Sequence, residues 1–202
     1  VAFQSFKLLA VFLITLASLV TLLTADWRVT ISFLAIQFGG VFLLIGLAWP
    51  LALAVITLIA GWLSGAILGM AMVSLPRNSP AIAPRKQSTS RLNPLFNFLA
   101  AVLIYLMVFS LAPQFRKWLP AMSIEQSLAA LTLIGLSMLR LALDSSPLST
   151  VAALLALLAG FEVIYATMTS AQFAVGALAV ITLFIAMAGA YLLLAPTMEE
   201  TG

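Results

Sequence analysis

One carboxylate in this 202-residue chain stands where a charged group is costly. Glu162 lies within LLALLAGFEVIYATM, at about 21 Å along an apolar run that starts near residue 148, taking 1.5 Å per helical residue. A charge at that depth in hydrocarbon costs at least about 2.5–3.5 kcal/mol, so such a residue faces a bundle interior or a hydrated cavity. Two kinds of chemistry are open to it. It can pass protons as one station of a relay, or it can stay protonated and donate a single interhelical hydrogen bond. At helical spacing Ala159 and Ala166 share its face and Tyr165 lies close by, while Ala152, Ala156 and Gly160 form a small-residue stripe on the opposite face. Both faces are therefore expected to meet protein.

The remaining polar side chains divide by position. Gln37 and Thr182 lie inside apolar runs, and with Tyr165 they are the candidate partners of Glu162 in a relay. An amide in lipid needs a hydrogen-bonding partner, which marks Gln37 more strongly than Thr57, Ser64, Thr132 or Ser137, whose hydroxyls can bond to their own helix. Arg140 and Asp144 are spaced i, i+4 near a run's end and predict a helix-end ion pair. Arg116, Lys117 and Trp118 read as an interfacial anchor. The chain has no Cys and no His, which excludes thiolate or imidazole metal sites, His-ligated haem, and Ser-His or Cys-His nucleophiles. No cofactor, metal site or active site of its own is legible.

The elements that must position Glu162 follow from composition. With 64% apolar and 7% charged residues and a mean hydropathy of +1.21, the chain could not cover a soluble globule's surface. Seven runs are long enough to span a bilayer, at about 6–24, 30–48, 51–74, 95–112, 125–143, 148–168 and 171–195. They predict an all-α polytopic transmembrane bundle. Residues 75–94 read as the one true loop, which divides a three-helix unit (1–74) from a four-helix unit (95–202). That loop carries Arg77, Arg85, Lys86 and Arg91 and no acid, so the positive-inside rule makes it cytoplasmic. The N-terminus is then outside and the Glu199-Glu200 tail inside. A basic loop beside anionic lipid accounts for the pI of about 9.7, and no nucleic-acid partner is expected.

The heptapeptide ALAVITL occurs at 52–58 and again at 177–183. Carried backwards, the same offset of 125 sets Gln37 against Glu162, and helices 1–3 and 5–7 read as two copies of a three-helix unit.

The back half, from about 126 to 195, resembles the K-type membrane subunit family of proton-pumping NADH:quinone oxidoreductase, which includes the C-type subunit of multisubunit cation/proton antiporters and the E-type subunit of hydrogenase-4. The matching pieces are IGLSML (134–139), LLAGFEVIYA (157–166) and AVGALAVITLFIAMAGAYLL (174–193). In that family a G-x-E motif carries a membrane carboxylate implicated in proton transfer, and Gly160-Phe161-Glu162 matches it. Val180-Ile181-Thr182 matches the opening of the third helix, while the family's second Glu falls on Met187. The resemblance implies a non-catalytic subunit of a complex I-like assembly, packed beside antiporter-like subunits in a prokaryotic cytoplasmic membrane. A purely structural subunit and an independent small transporter are the alternatives.

Overall fold

The computed structural model describes residues 2–75, 94–168 and 171–199. These form seven helices: α1 (Ala2–Leu23), α2 (Trp27–Ile45), α3 (Leu51–Ser74), α4 (Pro94–Trp118), α5 (Ile124–Leu143), α6 (Pro147–Met168) and α7 (Gln172–Glu199). Each is long and apolar enough to cross a bilayer, so the chain is an integral membrane protein. The basic loop and the Thr169-Ser170 turn lie outside the described residues.

Local chemistry sets the helix ends. Asp26 caps α2, its Oδ1 accepting the Arg28 N–H at 2.9 Å, so α2 starts at Trp27 and not near residue 30. Ser123 and Gln126 form a capping box at α5: the Gln126 N–H donates to Ser123 Oγ at 3.3 Å, and the Ser123 N–H donates to Gln126 Oε1 at 3.0 Å. Gln126 Nε2 also donates to the Leu44 carbonyl at 3.4 Å, tying α5 to the end of α2. Helix α4 runs on through Pro113 to Trp118, beyond the expected stop at 112. Its last turn carries Arg116 and Lys117, which complement the negative end of the helix dipole.

Helix α2 packs between α1 and α3, and α6 between α5 and α7. The two triplets stack helix on helix, α1 on α5, α2 on α6 and α3 on α7, while α4 lies outside against α5 and α1. Over half of α6 is buried (56%) but little of α4 (17%), which makes α6 a central helix and α4 a peripheral one. Leu99, Leu103, Leu106 and Phe109 of α4 point outward.

Small residues allow the close approaches. A Cβ on Gly160 would stand 2.9 Å from Leu133 Cβ and 3.1 Å from the Ala130 carbonyl oxygen, so α6 meets the α5 backbone there. Gly40 of α2 meets α1 the same way, at Ile14 and the Ala10 carbonyl. These contacts recur at 120 residues: Ala10, Ile14 and Gly40 stand where Ala130, Ile134 and Gly160 stand. Leu23 and Leu143, ending α1 and α5, keep the same separation, as do Trp27 and Pro147, starting α2 and α6. The heptapeptides at 52–58 in α3 and 177–183 in α7 keep a separation of 125. The position 120 residues before Glu162 is Phe42 of α2, whereas the offset of 125 leads to Gln37.

Candidate functional site

Glu162 is 1% exposed, on α6 about 9 Å before its end at Met168. Ala159, Val163 and Ala166 beside it are buried, as are Ala152, Ala156 and Gly160 on the other face, so α6 is enclosed on both sides. Its carboxyl interacts with the side chain of Thr182, which is 1% exposed on α7. The Thr182 hydroxyl donates to the Leu178 carbonyl at 2.9 Å. The Thr182 carbonyl in turn accepts a 3.3 Å bond from Ser64 Oγ of α3, which also donates to the Ala60 carbonyl at 2.8 Å. One polar seam thus joins α6, α7 and α3. Glu162 Oε2 is buried and has no hydrogen-bond partner among the described residues. An unsatisfied buried acceptor costs about 1–3 kcal/mol.

Tyr165, one turn on, is only half-buried and belongs to an aromatic group. Its ring meets Trp49 edge-on at 6.3 Å and stacks on Phe161 at 6.3 Å. Among the described residues no hydrogen bond joins it to Glu162.

Gln37 lies at a second polar site. It is 2% exposed, and its Nε2 donates to Ser18 Oγ of α1 at 3.1 Å, while its Oε1 has no partner among the described residues. Gln37 lines a narrow pocket with a cavity volume of about 10 Å³ together with Ser18, Thr21, Ser137, Arg140, Ala153 and Ala156, between α1, α2, α5 and α6. Of the sequence candidates, then, Glu162 and Thr182 come together, and Gln37 pairs instead with the Arg140 region.

Arg140 and Asp144 depart from the expected ion pair. Arg140 turns inward, 8% exposed, and its Nε donates to Ser149 Oγ of α6 at 2.8 Å. The Asp144 carboxylate is taken up locally, Oδ1 by the Ser146 N–H at 2.9 Å and Oδ2 by the Ser146 hydroxyl at 3.1 Å. No N···O ion pair within 4.0 Å joins the two side chains, and Asp144 acts on Arg140 through space, charge on charge. The physical reason is that α5 ends at Leu143, so Asp144 leaves the helical path that would hold it one turn above Arg140.

Sequence reasoning did not find the Ser18–Gln37–Arg140 pocket. The available signal was two i, i+3 polar pairs, Ser18 with Thr21 on α1 and Ser137 with Arg140 on α5, each placing two polar groups on one helix face. No group of acidic residues that could hold a metal ion occurs among the described residues. No family model, curated protein or solved structure matches this chain.

Proposed function

We propose that this chain is an integral membrane subunit of a complex I-like, ion-translocating assembly of NADH:quinone oxidoreductase, hydrogenase or cation/proton antiporter type, and that Glu162 carries protons within it. The observation that carries the reading is the buried Glu162 carboxyl with one unpartnered oxygen beside the Thr182 hydroxyl. A purely structural carboxyl is better served by two satisfied oxygens. A hydroxyl has one proton and two lone pairs and turns to suit its partners. While Thr182 donates to Leu178, its lone pair is open to a protonated Glu162. When Glu162 gives up its proton, the hydroxyl can swing from the carbonyl to the carboxylate. The pair then serves both protonation states without moving a helix.

Stacked triplets with shared 120-residue contacts support reading helices α1–α3 and α5–α7 as a parallel duplication joined by α4. The exposed outer faces of α4 and of α7, with Phe173, Phe184 and Tyr191, are where antiporter-like subunits would seat. The proposed setting is a prokaryotic cytoplasmic membrane, N-terminus outside and C-terminus inside, following the basic loop.

The test is purification of the tagged chain from its native membrane in mild detergent, identification of the large membrane subunits that travel with it, and proton-pumping assays on the reconstituted assembly. Glu162→Gln is expected to leave the assembly intact and to remove most of the pumping. Full pumping with that substitution would leave Glu162 a structural role, and purification of an active homo-oligomer alone would make the chain a separate transporter.

A further inference from the structure

A buried arginine and an unsatisfied amide face one small pocket that the Glu162 reading does not use. The pocket is lined by Ser18, Gln37, Ser137 and Arg140, with Ala153 and Ala156 of α6 as its floor. One N–H of Gln37 Nε2 is committed to Ser18 Oγ, and the amide oxygen, Oε1, is buried and has no donor among the described residues. Arg140 commits its Nε to Ser149, and the rest of its guanidinium fork offers donors only. An occupant must therefore donate to Gln37 and accept from Arg140. A halide ion accepts without donating, and an ammonium ion donates without accepting. Water does both, and the interior admits about one water-sized molecule, with the Ser137 hydroxyl as a third partner.

We propose that the pocket between α1, α2, α5 and α6 is a resident water site bridging Gln37 and Arg140, the hydrated approach from one end of the bundle toward its middle. Arg140 lies three residues before the end of α5, about 5 Å deep, and Gln37 ten residues into α2, about 15 Å deep. Ala156 on the pocket floor is six residues, about 9 Å, short of Glu162 on the same helix. A proton entering at the Arg140 end would reach mid-membrane through this water. Only that destination rests on the proposed role of Glu162; the water site stands on the pocket itself.

The experiment is X-ray radiolytic footprinting of the full chain in its native assembly, in which hydroxyl radicals formed from a bound water label the side chains that touch it. Leu136 lines the pocket at 2% exposure, and Leu133, one turn away on α5 at 0%, packs near Gly160 in the apolar core. The expected result is labelling at Leu136 with Leu133 at background, and loss of the Leu136 label in Gln37→Leu. Equal background labelling of both leucines in the unsubstituted protein would overturn the proposal, whether or not the variant folds. A Leu136 label that persists in a folded Gln37→Leu protein would also overturn it. Glu162→Gln should leave the Leu136 label in place. A dry pocket in a protein whose pumping needs Glu162 would remove this proposal alone, and a labelled pocket beside a dispensable Glu162 would remove the other alone.

Discussion

At the scale of single residues, the chemistry rests on which polar atoms are satisfied and by what. Glu162 was legible in the sequence because the cost of a carboxylate inside an apolar run is local and needs no knowledge of neighbours. Its meeting with Thr182 was legible only as two polar residues in separate spans. Thr182→Val removes the hydroxyl beside a buried carboxyl and is expected to reduce pumping and to lower stability by about 1–2 kcal/mol, whereas Thr182→Ser keeps both. Thermal unfolding in detergent and a pumping assay together check this. The Arg140–Asp144 spacing misled because i, i+4 contact assumes that the helix continues, and α5 stops between them. Ser149→Ala, which strips a buried guanidinium of its 2.8 Å acceptor, is accordingly expected to cost about 1.5–3 kcal/mol, and Asp144→Asn, at an exposed turn, about 1 kcal/mol or less. Equal melting temperatures for the two variants would contradict that ranking.

At the scale of the elements, helix–helix distance is governed by small residues. Lipid is as apolar as the helix surfaces, so close packing and hydrogen bonds, more than burial of apolar area, hold the bundle together. Gly160 stands where any side chain would strike Leu133, Ile134 and the Ala130 carbonyl. Gly160→Val is expected to destabilise the α5–α6 pair by about 1–3 kcal/mol or more. Gly176, with nothing within 4 Å of its added Cβ, is the matched control: Gly176→Ala is expected to be neutral or to stabilise α7 by up to about 1 kcal/mol. A thermal shift series in one detergent compares them. The small residues on α6 were visible as a stripe in the sequence, but the helix they meet was not. Gly160 and Ala130 are brought together by an antiparallel turn, and Gly61 of α3 is packed against the ring of Phe38.

For the whole molecule, alternation of seven helices puts the 24–26 and 144–146 turns at one end and the 46–50 and 119–123 turns at the other. The chain contains no Cys, so single substitutions report without background. Ala25→Cys and Ser145→Cys are expected to react with a membrane-impermeant maleimide from the cytoplasmic side only, and Ala48→Cys and Ala121→Cys from the opposite side only. Reaction of Ala25→Cys and Ala48→Cys from the same side would refute the seven-span arrangement, and a clean inversion of all four would reverse the proposed orientation alone. The stacking of α1–α3 on α5–α7 leaves α4 with a broad outward apolar face, the place where the bundle can meet lipid or another subunit without disturbing its centre.

The sequence by itself determined the number of helices and their approximate spans, missing the start of α2 by three residues and the end of α4 by six. A bilayer forces every backbone polar group to be paired within its own segment, and the caps and loops that stop each run are local. It also singled out Glu162, for the same local reason. Tertiary structure alone decided which helix faces turn inward, and hence that Glu162 meets Thr182 while Gln37 and Arg140 share a different pocket. In water an amphipathic pattern would have marked those faces, but here the interior and the surroundings are both apolar. What distinguishes an inner face from an outer one is the fit of a glycine to a neighbouring backbone and the reach of a hydroxyl or amide to its partner, and both are settled only when the helices pack.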